Sequence, residues 1–111
     1  MNPPQTIQPI AERFPALEEH EVVLTFFAPE AHRVAVAGTF NDWHPQANLL
    51  DHVGGGDWST TIILKSGQYE YRFIVDGVWT DDTQAPLRSP NPYGGFNSIL
   101  NVGLDDRTDL L

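Results

Sequence analysis

The sequence predicts an all-β protein, built as a single antiparallel β-sandwich, and three observations support this prediction. Segments rich in β-branched and aromatic residues alternate between apolar and polar positions, which is the period of a strand with one buried face. Clusters of glycine, proline, asparagine and aspartate separate these segments at short intervals. Helical periodicity is nearly absent outside a short patch around Phe14. Short strands with frequent turn signals are typical of a sandwich.

The chain has 111 residues, which is the length of one domain, and we expect three segments in it. Residues 1–20 are rich in proline and are predicted to form an irregular arm. Residues 21–103 are predicted to form the sandwich, and residues 104–111 an acidic tail. We interpret the arm and the tail as solvated ends, with docking segments as the alternative.

The predicted strands before the centre of the chain are short and rich in β-forming residues. The first strand lies in EVVLTFFAP, which Pro29 stops. The second, RVAVAG, points Val34 and Val36 inward and leads into a loop, TFNDWHP. Three glycines at 54–56 mark a loop tip, and the strand WSTTIIL follows. Its Trp58 is assigned to the core, on the same face as the later apolar residues of that strand.

A central hairpin is predicted in GQYEYRFIVDGVW. Asp76-Gly77 supplies a two-residue type I′ reversal, because glycine adopts positive φ freely and aspartate tolerates it. The turn places Ile74 opposite Trp79, with Arg72 diagonally beside them on the outer face. The other face of this strand belongs to the core and carries Tyr69, Tyr71, Phe73 and Val75. The last strand, SILNV, follows a long turn-rich segment.

Composition narrows the classes of partner. Fifteen acidic and six basic residues give a formal net charge of −9, which repels phosphate backbones and anionic lipids and argues against nucleic acids and membranes as partners. The absence of cysteine excludes a disulfide framework and a thiolate zinc site. The start MNPP has neither a basic region nor an apolar run, so we expect no signal peptide and a cytoplasmic protein. A neutral ligand fits this composition.

No catalytic or metal-binding constellation is recognisable in the sequence. The four histidines lack the spacing of a zinc motif, and no nucleophile elbow, phosphate-binding loop or dinucleotide fingerprint is present. The acidic pairs Asp81-Asp82 and Asp105-Asp106 are chain neighbours, which do not face one substrate bond. We therefore expect no enzyme activity, and nothing implies a cofactor.

Aromatic residues near turns are the strongest candidates for a binding site. Trp43 lies in a loop, Trp79 follows the hairpin turn, and Tyr93 lies in NPYGGFN, with Asn97 just before the last strand. An indole offers a flat apolar surface on which the C–H face of a sugar ring can stack, and sugar hydroxyls suit amide and guanidinium partners such as Asn97 and Arg72. The same aromatic residues also suit a proline-rich peptide, or simple packing under loops.

Four ordered motifs carry a more specific resemblance: VAVAGTFNDW, GGGDWSTTIIL, GQYEYRFIVDGVWTDD and NPYGGFNSILNV. Together they resemble the glycogen-binding domain of the AMP-activated kinase β subunit and the other family 48 carbohydrate-binding modules, which also precede the catalytic barrels of isoamylases and glycogen branching enzymes. The resemblance covers about residues 22–102. It implies an early-set, immunoglobulin-like antiparallel sandwich that binds α-glucan.

The resemblance also implies the residues that contact sugar. They are the stacking Trp43 and Trp79, the basic Arg72, the loop residue Tyr93 and the amide Asn97. Arg72 stands where the kinase members have a lysine, so a planar fork of donors replaces a compact ammonium. Tyr93 stands where the family has an apolar loop residue that wedges against the glucan, and its ring offers a third stacking surface. A further position that carries a hydroxyl in the family is Gly95 here, which lacks that side-chain hydrogen bond.

The leading hypothesis is a non-catalytic module that binds glycogen, starch or maltooligosaccharides. The first alternative is a protein-interaction or regulatory module that contacts a kinase or a glucan-metabolising enzyme through the same sandwich. The second alternative is a detached N-terminal domain of a family 13 glycoside hydrolase, whose role would be structural.

Overall fold

The computed structural model describes residues 18–103, which form nine β-strands in two sheets. In chain order the strands are β1 (Glu19–Phe27), β2 (Val34–Gly38), β3 (Asn48–Leu49), β4 (Asp51–Gly54), β5 (Asp57–Lys65), β6 (Gly67–Val75), β7 (Val78–Thr80), β8 (Arg88–Pro90) and β9 (Phe96–Val102). One sheet has the order β1-β5-β4, and the other has the order β3-β2-β6-β9-β8 with β7 also paired to β6. All of these pairings are antiparallel. The predicted all-β, immunoglobulin-like antiparallel sandwich is confirmed.

The hydrophobic core lies between the two sheets. The Phe73 ring on β6 is fully buried, and its centroid lies 4.6 Å from that of Phe26 on β1 and 5.6 Å from that of Tyr71. Trp58 on β5 is also buried, and its indole N–H donates to the carbonyl of Ala28 at 3.0 Å. Because this hydrogen bond satisfies the one polar atom of the indole, the side chain is accommodated in the core. The predicted core positions of Trp58, Tyr71 and Phe73 are confirmed.

The central hairpin has the predicted register, with Ile74 opposite Trp79. Asp76 and Gly77 both have positive φ, at 50° and 85°, as a type I′ turn requires. The Asp76 carboxylate also accepts backbone N–H groups of His32 and Arg33 at 2.8 Å each, which ties the turn to the segment before β2. Aspartate is therefore favoured here both by the turn and by this connection.

The first and last strands of the sandwich begin earlier in the chain than predicted. Strand β1 begins at Glu19, inside the predicted arm of residues 1–20, because its pairing with β5 extends to Lys65. Similarly, β9 begins at Phe96, before the predicted strand SILNV, because its first residues pair with β8. Most of the predicted arm and the predicted tail of 104–111 lie outside the described residues.

The outer face of the larger sheet is partly covered, which the sequence alone did not indicate. Ile74 is only 6% exposed, and it packs with Ala35 and Ala37 of β2 beneath the half-buried Trp43. The outer face near Trp79 therefore rests on a small second apolar cluster rather than lying open to water. Within residues 18–103, no helix is long and apolar enough to span a membrane.

The neighbouring acidic residues Asp81 and Asp82 face different surroundings. Asp82 is buried and accepts the Tyr71 hydroxyl at 2.5 Å and the backbone N–H of Gln84 at 2.9 Å. Burial and then this contact with Asp82 raise the pKa of Tyr71 far above its usual value, so Tyr71 stays a neutral donor. Asp82 thus holds the segment after β7 against the core, and Asp81 projects toward the outer face.

Candidate functional site

The five residues predicted to contact a ligand all line one cleft on the outer face of the larger sheet. Its volume is about 700 Å³, within the range of roughly 300–1,000 Å³ that is usual for small-molecule sites. The lining residues are Trp43, Arg72, Trp79, Asn91, Pro92, Tyr93 and Asn97. Residues from four separate parts of the chain therefore meet at one surface.

The two indoles form an angled platform in this cleft. The ring centroids of Trp43 and Trp79 are 6.4 Å apart, and the ring planes are inclined by 41°. Trp79 is 40% exposed, whereas Trp43 is more deeply set against Ile74. Two flat apolar surfaces at this inclination suit a ligand made of successive rings that curve, rather than one extended flat ligand.

The backbone that carries Trp43 adopts an uncommon conformation. Asp42 and Trp43 both have φ in the left-handed region, at 55° and 58°. Aspartate tolerates this conformation, whereas for a bulky side chain such as that of Trp43 it costs about 1–3 kcal/mol. The Asn41 side chain offsets this cost, since it accepts the N–H of Gly38 at 3.0 Å and donates to the carbonyl of Val36 at 3.1 Å. Gly38 is required because a Cβ there would overlap the carbonyl oxygen of Glu70. The sequence TFNDW thus holds the first indole in place.

The Arg72 guanidinium is held by an acidic neighbour that sequence reasoning missed. Arg72 Nη2 donates to Asp81 Oδ1 at 2.6 Å, and both side chains are more than half buried. Among the described residues, the buried Arg72 Nε has no hydrogen-bond partner. The hairpin register pairs Phe73 with Thr80, so one further step along it places Asp81 opposite Arg72. Asp81 is therefore identifiable from the sequence by extending the predicted hairpin register by one residue pair.

The loop between β8 and β9 is organised by Asn91, which sequence reasoning also missed. Asn91 Oδ1 accepts the backbone N–H groups of Tyr93 at 2.9 Å and Gly95 at 3.0 Å, and Nδ2 donates to Asn97 Oδ1 at 3.2 Å. An asparagine that bonds backbone two residues onward is the usual signature of an Asx turn. Because Gly95 is held through its backbone, the loop is closed without a side-chain hydroxyl at that position.

The two predicted loop contacts differ in their freedom to meet a ligand. Tyr93 is 91% exposed and projects from the loop. Asn97 is held on both sides, since its Nδ2 also donates to Glu70 Oε1 at 3.0 Å. Each polar atom of the Asn97 amide keeps capacity for one more hydrogen bond. The amide is therefore oriented in advance and still able to bind a hydroxyl.

We expect Asn91→Ala to lower affinity for maltoheptaose about threefold to tenfold, because the loop loses three side-chain hydrogen bonds of about 0.5–1.5 kcal/mol each and Tyr93 becomes less ordered. Calorimetric titration measures this change. Asn101→Ala is the matched control, since that asparagine pairs with Gln68 at the far end of β9. Unchanged affinity in Asn91→Ala would show that the loop does not need this residue to bind.

Within residues 18–103, no group of three or more His, Cys, Asp or Glu side chains is placed to hold a metal ion. The site is instead composed of aromatic rings, one guanidinium, amides and the carboxylates that hold them. An antiparallel sandwich with such a cleft on one sheet has the groups that a carbohydrate-binding β-sandwich module needs, which are flat rings for stacking and donors for sugar hydroxyls. The chain belongs to the family described as the glycogen recognition site of AMP-activated protein kinase, whose sequence model matches residues 21–108. The resemblance inferred from the four motifs is confirmed.

In several curated relatives, the segment that is similar to this chain is one part of a larger protein. The chain is 37% identical over 87 residues to the rice protein FLOURY ENDOSPERM 6, chloroplastic (Oryza sativa subsp. japonica), which covers 78% of this chain and 16% of that protein. It is 38% identical over 66 residues to SNF1-related protein kinase regulatory subunit beta-2 of Arabidopsis thaliana, covering 60% and 22%. It is 39% identical over 81 residues to the 1,4-alpha-glucan branching enzyme GlgB of Salinibacter ruber, covering 67% and 13%.

The chain therefore spans less than a quarter of the length of each of these relatives. One of them is described as chloroplastic, so the cytoplasmic location expected from the sequence stays a prediction.

Proposed function

We propose that this chain is a non-catalytic module that binds α-glucans, such as glycogen, starch or maltooligosaccharides, in the cleft between Trp43 and Tyr93. The observation that carries the proposal is the pair of indoles, 6.4 Å apart and inclined by 41°, beside a pre-oriented arginine. An α-linked glucan curves, so successive glucose units present their C–H faces to surfaces that are inclined to each other. Membership of a glycogen-recognition family supports the same ligand class.

The binding mechanism follows from which groups are already in place. Glucose rings stack on Trp43 and Trp79, while Arg72 and Asn97 donate hydrogen bonds to hydroxyls. Because Asp81 orients Arg72, and Glu70 and Asn91 orient Asn97, little side-chain entropy is lost when sugar binds. Tyr93 is the exception, because Asn91 holds its backbone N–H while its side chain is exposed and loses rotamer freedom when it contacts the ligand.

The carboxylates near the cleft act as supports for these sugar-binding groups. Asp81 Oδ1 is bonded to Arg72, and Glu70 Oε1 is bonded to Asn97. A pair that cleaves a glycosidic bond must instead face the bond from two sides, as an acid and a nucleophile or base. The observed contacts favour binding without a reaction, and the proposal needs no cofactor.

The proposal is tested by titrating the protein with maltoheptaose and following tryptophan fluorescence. We expect a saturable change with a dissociation constant between about micromolar and millimolar, since only a few stacked rings and hydrogen bonds contribute. Cellohexaose is the matched control, because its β-linked chain is extended and cannot follow the inclined indoles. Amylose and glycogen should retain the protein, and cellulose should not. Absence of binding to every α-glucan would reject the proposal.

A protein partner is the second candidate, and one observation favours it. Val23 on β1 and Ile63 on β5 lie on the outer face of the smaller sheet, and both are more than half exposed. This surface belongs to the sheet that does not carry the cleft, so it leaves the cleft free. A kinase regulatory subunit and a branching enzyme are among the relatives, which is why a kinase or a glucan-metabolising enzyme is the proposed kind of partner. As a domain of a longer enzyme, the chain would contact the rest of that enzyme through this same outer face of the smaller sheet.

A further inference from the structure

A second, smaller cavity lies beside the cleft on the outer face of the larger sheet, and Trp79 lines both. Its volume is about 260 Å³. The floor includes Ala35 of β2 and Ile74 of β6, which are paired neighbours in the sheet. Small residues create the space, because Ala35 and Gly77 present no long side chain there. The two cavities follow one another across the sheet, from the Tyr93 loop past Trp79 to the hairpin turn.

Two polar side chains line the smaller cavity without a hydrogen bond or ion pair to any residue in the range 18–103. Arg33 is held through its backbone, which exchanges hydrogen bonds with Asp76 at 2.8 and 2.9 Å. In the part of the chain that the structure describes, its guanidinium forms no hydrogen bond or ion pair, and neither does the side-chain amide of Gln46. Arg72 in the main cleft is in contrast bound to Asp81. Arg33 and Gln46 thus present unused donors to whatever fills the cavity.

The shape and chemistry of the cavity indicate its ligand. The lining combines the apolar Trp79 and Ile74 with the donor-bearing side chains of Arg33 and Gln46, and this combination matches the C–H face and the hydroxyls of a sugar ring. At about 260 Å³ the cavity falls below the roughly 300 Å³ that usually holds an independent small ligand. It is therefore suited to one part of a ligand that is anchored elsewhere, and the shared Trp79 connects it to the cleft.

We infer that this cavity is a secondary subsite for a further glucose unit of a glucan chain that already occupies the main cleft, with Arg33 and Gln46 donating hydrogen bonds to its hydroxyls. The inference rests on the proposed glucan-binding function and extends it to chain length. A short oligosaccharide fills only the main cleft. A longer one passes Trp79, reaches the subsite and binds more tightly, so the module selects long chains.

The test compares maltotriose with maltoheptaose in calorimetric titrations of the protein and the double variant Arg33→Ala/Gln46→Ala. We expect the variant to lose about threefold to tenfold in affinity for maltoheptaose, the equivalent of one or two net hydrogen bonds, and to bind maltotriose unchanged. Both side chains are exposed, so the variant should have the same melting temperature as the unaltered protein. Lys65→Ala is the matched control, since it removes one positive charge from the other sheet.

Two results with the double variant would overturn the subsite while leaving the proposed function intact. One is unchanged maltoheptaose affinity in the double variant. The other is an equal loss for both sugars, which would mean that Arg33 acts on the main cleft. If the unaltered protein binds neither sugar, the proposed function itself fails and the subsite with it. Equal affinity of the unaltered protein for both sugars also overturns the inference, because the extra units then find no contact.

Discussion

Phe73→Ala is expected to lower the free energy of unfolding by about 3–5 kcal/mol, which is a large share of the stability of a domain of this size. Phe73 is fully buried on β6, opposite Val36 of β2, and its ring contacts Phe26 and Tyr71. Removing the ring leaves a cavity between the two sheets that neither sheet can close. Urea unfolding followed by circular dichroism measures the change.

Phe27→Ala is the matched control for that experiment. Phe27 ends β1 and is mostly exposed, so the same substitution should change the free energy of unfolding by about 1 kcal/mol or less. The comparison separates the loss of a core side chain from the loss of any phenyl ring. If Phe73→Ala and Phe27→Ala unfolded at the same urea concentration, the assignment of the inner and outer faces of β6 would be wrong.

Trp79→Ala is expected to reduce affinity for maltoheptaose about tenfold or more, while the free energy of unfolding changes by about 1 kcal/mol or less. The magnitude is taken from the stacking of nucleic-acid bases on aromatic side chains, about 1–3 kcal/mol per ring. Trp79 lines both the cleft and the smaller cavity and is 40% exposed, so its removal deletes a binding surface without opening the core. Calorimetric titration and thermal melting measure the two quantities.

Val78→Ala is the control for the strand itself. Val78 precedes Trp79 on β7 and is exposed, but it lines neither the cleft nor the smaller cavity, so sugar affinity should not change. Arg72→Ala should be milder than Trp79→Ala, because water can replace a donor to a solvated hydroxyl more easily than a ring face can be replaced. A Trp79→Ala protein that bound maltoheptaose normally but melted many degrees lower would show that this tryptophan serves the fold.

Trp43 illustrates why the two indoles are not equivalent targets. It covers Ile74, Ala35 and Ala37, so its truncation would expose an apolar cluster as well as remove a stacking surface. A loss of binding in Trp43→Ala would therefore mix the two effects. Trp79, which lies on the short strand β7, separates them.

The sequence by itself determined the longer strands and the hairpin, because both depend on near neighbours. The short strands β3, β4 and β8 lie in segments for which the sequence predicted no strand. Alternation with a period of two assigns Phe73 to the core and Trp79 to the other face of the hairpin. The Asp76-Gly77 turn sets the register through its own backbone geometry, and the structure has that register. Extending the same register by one residue pair also predicts Asp81 as a neighbour across the hairpin. The order of the four sequence motifs was enough to indicate the family, and the match to the family's sequence model confirms this assignment.

Only the tertiary structure decided how distant segments meet on the outer face. Trp43 lies over Ile74 because β2 pairs with β6, and Asn97 meets Glu70 because β9 pairs with β6 on its other side. No local pattern encodes this order of strands, because it results from burying both sheets' apolar faces together. The smaller cavity exists for the same reason: Arg33 and Gln46 are separated along the chain, and they line one space only after β2, β6 and the loop after Trp43 have packed.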